Sequence, residues 1–310
     1  MRKKNKFFFA LLGPTASGKS RLAISLFQKF HSAIVNCDSQ QVYADLSIGT
    51  AQPTEEKKIL PHHLYGFLGL GEQYSAGAYE IDADQCLQNL EQNDVLPVVV
   101  GGSGFYLKTL IYGLDDLPKK NENLRADFQE RIEQEGLKSV YQELQSIDKD
   151  YADLISENDS VRIIRALEIY KLSGMKLSVL RQQKKKTKYD VVLIGLDVNR
   201  EKLYERINNR VLTMLESGWI EETKKVLEKN YRDWLYNFPG IGYRYIIQHL
   251  EGDVSYVDMV KLIQRDTRRY AKRQYTWFRK MENVHWFSYN DEKDKKKIED
   301  FVDQLMLSGD

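Results

Sequence analysis

The stretch that decides the fold is GPTASGKS at residues 13–20, which matches the phosphate-binding pattern G-x-x-x-x-G-K-S/T at every fixed position. A short apolar run, FFFALL at residues 7–12, precedes this stretch, and an amphipathic segment at residues 20–30 follows it. Strand, loop and helix in this order predict a loop whose backbone N–H groups bind a phosphate at a helix N-terminus. The predicted binding residues are Gly13, Pro14, Thr15, Ala16, Ser17, Gly18, Lys19 and Ser20.

Two side chains of this loop carry chemistry of their own. Lys19 supplies a positive charge for the outer phosphate oxygens, and the hydroxyl of Ser20 is placed to ligate Mg²⁺. The pattern predicts a di- or triphosphate site without indicating which compound carries the phosphates. The alternative is a chance glycine–lysine turn in an ordinary α/β domain, and the flanking strand and helix count against it.

Further apolar runs predict the fold class. AIVNCD at residues 33–38, VLPVVVGG at 95–102 and YDVVLIGLDV at 189–198 alternate with helical patterns, which is typical of a parallel sheet covered by helices. Residues 119–187 carry helical patterns only, which predict one helix over residues 121–144 and another over residues 160–172. After residue 200 the chain is again predicted helical, apart from the turn at 238–244. We therefore predict an α/β fold with a P-loop NTPase-like core, residues 1–118 and 188–310, and an inserted all-helical domain, residues 119–187.

Composition narrows the class of protein. With 29% charged and 42% apolar residues, the chain is typical of a globular protein, and its net charge of +1 gives no overall attraction for nucleic acid. The two cysteines, Cys37 and Cys86, form no metal-binding or disulfide pattern, which favours the reducing cytoplasm. The apolar run that ends at Leu12 is too short for a secretion signal, and we expect no membrane span.

Three further side chains are candidates for the phosphate site. Asp38 follows a predicted strand, so its carboxylate is expected at the ligand-binding edge of the sheet, where it can hold Mg²⁺ or act as a general base. Capping of the following segment is its alternative role. Arg206 and Arg210 lie four residues apart on one helix face, from which one of them could reach the phosphates or simply form a surface ion pair.

The sequence also lacks two features. VLPVVVGG ends in glycines, without the acidic residue with which ATPases place Mg²⁺ and polarise water. The guanine-reading pattern N-K-x-D of GTPases does not occur either. These absences disfavour a nucleotide hydrolase.

Residues 261–280 form a basic and aromatic segment, with eight Lys or Arg against the single acid Asp266. Basic side chains for a phosphate backbone and aromatic rings for bases are typical of a nucleic-acid surface. A solvated charged helix face with its aromatic residues in the core is the alternative. Further basic residues lie in the helical insertion, at Arg125, Arg162 and Arg165.

Taken together, these motifs resemble one family, the bacterial tRNA dimethylallyltransferases. The resemblance lies in GPTASGKS, DSQQVY, PHHLYGF, PVVVGGSGFYLK, NDSVRIIRALEIY, FPGIGYR and AKRQYTWFRK, which occur in the order of the family and span most of the chain. It implies transfer of a five-carbon group from dimethylallyl diphosphate to N6 of the adenine at tRNA position 37. It also implies release of diphosphate, a requirement for Mg²⁺ and a monomeric enzyme.

The resemblance assigns roles to individual residues. Asp38 corresponds to the general base, the loop holds the diphosphate of the donor, and Lys19 and Arg210 stabilise that diphosphate as it leaves. The tRNA-contacting positions are Asp38, Ser39, Gln40, Gln41, Ser103, Arg125, Val161, Arg162, Ile163, Ile164, Arg165, Pro239, Gly240, Ile241, Gly242, Tyr243, Arg244, Lys272, Arg273, Gln274, Tyr275, Thr276, Trp277, Phe278 and Arg279.

A few positions depart from the pattern of the family. Residues 44–47, Gly66 and Tyr245 differ from the usual residues, and Ser103 replaces the commoner threonine. These departures concern tRNA contacts and leave the phosphate loop intact. The pair His62–His63 has no further ligand nearby in the sequence, and we interpret it as structural.

Three other functions share parts of this pattern. A small-molecule kinase would use the same loop and Asp38 but would have no use for the basic segment. A nucleotide-gated RNA-binding protein would need the basic segment but not Asp38. An enzyme that alkylates free adenine nucleotides would need neither the basic segment nor the arginines of the insertion.

Overall fold

The computed structural model describes residues 7–115, 117–181 and 187–308. These residues form two compact units, Met1–Ile111 with Thr187–Asp310, and Tyr112–Lys186. The first unit contains the sheet and the second contains helices alone. From the sequence, the boundaries of the insertion were expected at residues 119 and 187.

A six-stranded sheet in the order β3-β2-β4-β1-β5-β6 forms the centre of the first unit, and every pair of neighbouring strands is parallel. This arrangement confirms the predicted α/β class. The strands are β1 (Phe7–Leu12), β2 (Ser32–Asn36), β3 (His62–His63), β4 (Leu96–Val100), β5 (Asp190–Asp197) and β6 (Val284–Ser288).

Neither edge strand, β3 or β6, was predicted from the sequence. β3 is the histidine pair itself, and two residues are too few for any periodic pattern to emerge. β6 lies in a region predicted to be helical, so the prediction of helices alone after residue 200 was wrong there. As a partly exposed edge strand, β6 lacks the continuous apolar run by which the central strands are recognised.

The helices follow in chain order. They are α1 (Lys19–Phe27), α2 (Ala76–Gln92), α3 (Gly104–Tyr112), α4 (Glu122–Glu135), α5 (Leu137–Ile147), α6 (Lys149–Ala152), α7 (Ser160–Ser173), α8 (Leu177–Leu180), α9 (Arg200–Glu216), α10 (Trp219–Glu228), α11 (Arg232–Asn237), α12 (Tyr243–Leu250), α13 (Tyr256–Phe278) and α14 (Glu292–Ser308), with a short 3₁₀ turn at Glu56–Lys58. Among the described residues, no helix combines the length and the hydropathy that a bilayer crossing requires.

The sheet core explains why the phosphate loop has a rigid base. Every residue of β1 except Phe7 is buried, because the strand lies between β4 and β5. Phe9 and Leu11 pack with Leu22 and Phe27 of α1 in one apolar cluster. The loop at residues 13–18 is therefore held between a buried strand and a packed helix.

A second apolar cluster joins helices α9–α13 to the segment that follows β2. Trp219, Tyr243 and Ile263 are fully buried there and pack with Val42 and Leu46. Because this cluster includes the segment after β2, it holds that segment beside the helices. The carboxyl ends of β1, β2 and β4 and these helices together surround the site described below.

The second unit has a small core of its own, which includes Phe128, Val140 and Leu167. The single helix predicted over residues 121–144 is divided at Gly136, which has φ 83° and separates α4 from α5. The prediction of one continuous helix was wrong because Gly136 adopts a positive φ that an L-residue with a side chain rarely takes.

A buried carboxylate organises the second unit. Glu168 has no exposed side-chain surface and accepts hydrogen bonds from Asn121 N at 2.7 Å, from Arg125 Nε at 2.9 Å and from Arg165 Nη1. Burial opposes ionisation, but the hydrogen bonds from Arg125, Asn121 and Arg165 outweigh it and lower the pKa of Glu168 to about 2. The ionised carboxylate thus joins the start of α4 to α7.

We expect the Glu168→Gln variant to weaken the second unit in a pH-dependent way. The folded pKa lies below the ordinary glutamate value, so Glu168 stabilises the unit above about pH 4 and loses this effect as the pH falls towards 2. At neutral pH the substitution should cost roughly 3 kcal/mol, measured by hydrogen exchange of the amides in α4 and α7.

Glu133→Gln is the matched control, because Glu133 is exposed on α4 and should change the free energy of unfolding by less than about 0.5 kcal/mol. A difference between E168Q and wild type that stays constant into the acid range would contradict the assignment of the low pKa.

Candidate functional site

The phosphate loop has the backbone that its sequence predicts. Gly13 and Gly18 have φ values of 150° and 94°, and Ala16 has φ 60°, so the chain turns sharply between β1 and α1. Gly18 is the N-cap residue of α1, and no side chain caps the helix. The first N–H groups of α1 therefore face the space beyond the loop, which is an anion-binding arrangement.

Lys19 lies across the mouth of this loop. Its Nζ donates hydrogen bonds to the carbonyl oxygens of Gly13 at 2.9 Å and Pro14 at 2.7 Å. Burial lowers the pKa of Lys19 to about 7, opposed by the negative charge of Asp38 and assisted by the positive charge of Arg210. A phosphate anion would favour the charged form of this amine.

Helix α9 brings both candidate arginines to the loop. Arg206 Nη1 donates to the Ser17 carbonyl oxygen at 3.4 Å, and Arg210 Nη1 donates to Thr15 Oγ1 at 3.5 Å. Burial lowers the pKa of Arg210, and the charge of Asp38 opposes this effect. The loop, Lys19 and the two arginines thus concentrate positive charge in one place.

Asp38 lies two residues beyond β2 and faces the same space. Its Oδ1 accepts a hydrogen bond from Gln40 N at 2.9 Å, so it closes a local turn. Burial raises the pKa of Asp38, while the hydrogen bond from Gln40 and the charge of Lys19 oppose the rise. A carboxylate with a raised pKa in a polar cleft is suited to accept a proton.

Asn36 sets the backbone at Asp38. It is fully buried at the end of β2, where Oδ1 accepts from Asp38 N at 2.9 Å and Nδ2 donates to Asp38 O at 3.1 Å and to Leu64 O at 2.8 Å. No sequence pattern indicates this role, because an asparagine at a strand end is common and Leu64, one of its two partners, lies 28 positions away.

Glu222 holds the opposite wall of the site. This buried residue of α10 accepts hydrogen bonds from Ile48 N at 2.7 Å, Gly49 N at 2.9 Å and the Tyr243 hydroxyl at 2.8 Å. A Cβ at Gly49 would lie 2.0 Å from Trp219 Nε1, so only glycine fits. This role of Glu222 was not predicted from the sequence, because a glutamate in a charged helix normally faces solvent.

These elements enclose a cavity of about 660 Å³ within the first unit. Its lining includes Lys19, Asp38 and Arg210 together with the residues 49–54, so the loop, the carboxylate and the wall share one space. An apolar portion of the lining is formed by Val211, Met214, Trp219 and Ile241. A larger cavity of about 850 Å³ between β2, β3 and α2 contains none of the predicted site residues.

The residues of the first unit that the resemblance assigns to tRNA differ in their exposure to solvent. Those that line the cavity are Asp38, Ser39, Gln40, Gln41, Pro239, Gly240, Ile241, Arg273 and Gln274. Exposed residues outside the cavity are Arg244, Lys272, Thr276, Trp277 and Arg279. Tyr275 is half-buried, and Gly242 is buried. Ser103 donates through its hydroxyl to Ser39 Oγ at 3.3 Å.

Tyr243, Gln274 and Phe278 have buried side chains, with exposed fractions of 0%, 5% and 1%. Tyr243 donates its hydroxyl to Glu222, and Phe278 packs in the core. These side chains support the shape of the site from inside the protein.

In the second unit, the residues assigned to tRNA are likewise divided between exposed and buried side chains. Val161 and Arg162 are exposed, whereas Ile163 is fully buried and Ile164 packs against the core. Arg125 and Arg165 donate hydrogen bonds to Glu168, so part of the donor capacity of each guanidinium is used within the protein. The Arg125–Glu168 pair was not foreseen because its residues lie 43 positions apart in the chain. Arg165 and Glu168 are neighbours on one helix face, but the sequence does not show that Glu168 is buried there.

Comparisons with known proteins agree with this geometry. Two family models match the chain, one described as IPP transferase over residues 41–281 and one as isopentenyl transferase over residues 7–65. A tRNA dimethylallyltransferase of Syntrophotalea carbinolica is 41% identical over 297 residues, covering 94% of this chain and 95% of that protein. A tRNA dimethylallyltransferase of Natranaerobius thermophilus is 37% identical over 309 residues, with coverage of 98% and 92%.

Solved structures are similar over nearly the same length. The tRNA isopentenylpyrophosphate transferase of Bacillus halodurans superimposes with a TM-score of 0.73 and 34% identity, covering 98% of each chain. A eukaryotic dimethylallyltransferase acting on tRNA gives a TM-score of 0.79 and 29% identity, covering 93% of this chain and 75% of that chain.

We expect the affinity for inorganic pyrophosphate to depend on pH through Lys19. The pKa of about 7 should rise when the anion binds, so Lys19 is already charged below pH 7 and takes up a proton on binding above it. Affinity should therefore fall by up to about tenfold per pH unit above neutrality, measured by calorimetry.

The Lys19→Arg variant is the control, because its guanidinium stays charged across this range and ionisation of the ligand affects both proteins equally. Parallel pH curves for the variant and the wild type would contradict the lowered pKa of Lys19.

Removing the carboxylate at Glu222 should destabilise the wall of the site. The Glu222→Ala substitution leaves the N–H groups of Ile48 and Gly49 and the Tyr243 hydroxyl without their acceptor. We expect the free energy of unfolding to fall by roughly 2–4 kcal/mol in urea denaturation. Glu221→Ala, at the exposed neighbouring position, should change it by less than about 0.5 kcal/mol; equal losses for both variants would refute the role of Glu222.

Proposed function

We propose that this chain, which belongs to the tRNA dimethylallyltransferase family, transfers the dimethylallyl group of dimethylallyl diphosphate to N6 of the adenine at tRNA position 37. The products are the N6-isopentenyl nucleoside next to the anticodon and diphosphate. The observation that carries the proposal is the placement of Asp38 and the phosphate loop in one cavity. Family membership sets aside a small-molecule kinase and an RNA-binding protein without catalysis.

The phosphate loop would hold the diphosphate of the donor as a leaving group. When the allylic C–O bond breaks, its electron pair moves to the diphosphate oxygen, and negative charge grows there. Lys19, Arg206 and Arg210 are hydrogen-bonded to atoms of the phosphate loop, and no side chain caps the N-terminal N–H groups of α1. All of these donors would therefore lie beside the diphosphate. Donors arranged before the reaction stabilise such a charge without reorganisation.

The apolar lining accounts for the carbon chain. Val211, Met214, Trp219 and Ile241 lie in the same cavity as the phosphate loop. A five-carbon group is too hydrophobic to remain beside the arginines and Lys19, so we place it against these side chains. Burial there also protects the electron-deficient allylic carbon from water.

Asp38 would act on the acceptor. As the N6 amine attacks the allylic carbon, a C–N bond forms and the nitrogen becomes positively charged. The proton that N6 then loses moves to the Asp38 carboxylate, whose pKa is raised by burial. The adenine must leave the base stack of the anticodon loop to reach the cavity, which base-modifying enzymes generally require.

The residues of the cavity fit Mg²⁺ bound to the diphosphate. The hydroxyl of Ser20 and the carboxylate of Asp38 both line the cavity, and oxygen ligands of this kind suit Mg²⁺ that also binds substrate phosphates. Within the described residues, no group of three or more His, Cys, Asp or Glu side chains forms a cage for the ion. Mg²⁺ would neutralise part of the charge on the diphosphate.

The exposed basic residues supply a surface for the tRNA backbone. Lys272 and Arg273 are exposed on α13, Arg279 is exposed directly after its last residue, and Arg162 is exposed in the second unit. Each neutralised phosphate releases a counterion, so binding should weaken with salt. We further propose that the enzyme works as a monomer and in the cytoplasm, where its tRNA substrate is modified.

One experiment tests the proposed reaction. The protein is incubated with Mg²⁺, ATP, dimethylallyl diphosphate labelled in its carbon chain, and unmodified tRNA. The free nucleotides are separated from the RNA, and the label in the RNA is located by nuclease digestion. Label at N6 of position 37 is the expected result. Label in free adenine nucleotides, or no transfer with phosphate transfer from ATP in its place, would overturn the proposal.

The Asp38→Asn variant should keep tRNA binding and lose most turnover. The amide has the size of the carboxylate but cannot accept the N6 proton, so we expect a loss of roughly 10²–10⁴-fold in single-turnover rate. The matched control is Asp300→Asn, since Asp300 is paired with Lys296 on the surface of α14 at 3.0 Å, and its substitution should leave the rate unchanged. Full activity of D38N would refute the assignment of the base.

A further inference from the structure

Gln274 lies at the centre of the site, although its side chain has almost no exposed surface. It is 5% exposed near the C-terminal end of α13, where Oε1 accepts a hydrogen bond from Thr15 N at 2.8 Å and Nε2 donates to Gly102 O at 3.0 Å. One amide therefore joins the phosphate loop to the loop after β4. These two partners lie 259 and 172 positions away in the chain.

The loop after β4 touches Asp38 on its other side. A Cβ at Gly102 would lie 2.3 Å from Gln274 Nε2 and 3.4 Å from Asp38 Oδ2. A Cβ at Gly101 would lie 1.9 Å from Cys37 O, the residue before Asp38. Both positions require glycine because the backbone of this loop is in close contact with Gln274 and with the segment carrying the carboxylate.

The phosphate loop continues the connection towards the arginine. Thr15 donates its N–H to Gln274 and accepts at Oγ1 from Arg210 Nη1 at 3.5 Å. A chain of contacts thus runs from Asp38 through Gly102, Gln274 and Thr15 to Arg210. It links the group that would take the proton to the groups that would hold the leaving diphosphate.

We propose that Gln274 is a positioning residue, which sets the phosphate loop relative to Asp38, and that it does not contact RNA. This inference rests on the proposed transfer, because it assigns the two joined segments to donor and acceptor. Glutamine is needed since Thr15 presents a donor and Gly102 presents an acceptor. Methionine can serve neither partner, and an ionised glutamate cannot donate to Gly102 O.

The test compares pyrophosphate binding with tRNA binding in Gln274→Met. With Mg²⁺ present, the affinity for inorganic pyrophosphate is measured by calorimetry at saturating unmodified tRNA, and the tRNA affinity is measured over a range of salt concentrations. We expect pyrophosphate to bind about tenfold more weakly and the single-turnover rate to fall, because a buried hydrogen-bonded pair is lost. The tRNA affinity and its salt dependence should not change.

Gln264→Met provides the matched control on the same helix. Gln264 donates to Asn208 O at 3.2 Å, so this substitution also removes a hydrogen bond between helices but touches neither loop. Pyrophosphate affinity should equal that of the wild type. If Q274M fails to fold, Q274E takes its place, because glutamate has nearly the shape of glutamine and keeps an acceptor for Thr15 N. Q274E should bind pyrophosphate at least about tenfold more weakly than the wild type, since an ionised carboxylate cannot donate to Gly102 O.

The possible results separate the inference from the proposed function. Weaker tRNA binding by Q274M with unchanged pyrophosphate affinity would overturn the inference and return Gln274 to an RNA-contacting role. An equal loss of pyrophosphate affinity in Q274M and Q264M would show a general effect of disturbing α13, and would also overturn it. Failure of the wild type to bind pyrophosphate would instead refute the donor site and the proposed reaction with it.

Discussion

The attraction between an anion and the uncapped N-terminus of α1 is the constraint on which the rest of the site depends. A helix start without a capping side chain leaves its first N–H groups free of protein partners, so they are available to an anion, which the helix dipole also attracts. The buried strand β1 and the packed face of α1 hold these groups in place. Lys19 and two arginines then add charge at the same point, at the expense of burying cations near one another.

The second requirement is a carboxylate that lies close to these cations and still accepts a proton readily. Asp38 meets that requirement because its backbone is held by Asn36 and because burial keeps its pKa raised. The helices α10–α13 complete the cavity through side chains that serve the structure first, notably Glu222, Tyr243 and Gln274. Catalytic groups on loops are thus positioned by buried polar residues on helices.

The strongest sequence signals were local, and they were confirmed. FFFALL and VLPVVVGG predicted central strands because a strand buried on both faces needs a continuous apolar run. The failures followed from the same principle. β3 is too short and β6 too exposed to show such a run, and Gly136 divides a helix whose pattern otherwise continues.

By itself, the sequence determined the class of fold, the phosphate loop and the family, because each depends on residue types at short and regular spacing. Lys19 was predicted from a motif, Asp38 from a strand end and Arg210 from the spacing on a helix face, and all three line the same cavity. Only the tertiary structure decided which side of α13 faces the core, so that Gln274 bonds to two loops while Arg273 faces the cavity. It likewise decided that Arg125 and Arg165 are held by Glu168. The pairings of Gln274 with Thr15 and Gly102, and of Arg125 with Glu168, join distant parts of the chain. Arg165 and Glu168 are neighbours in sequence, but the burial that makes their pair matter exists only once the chain has folded.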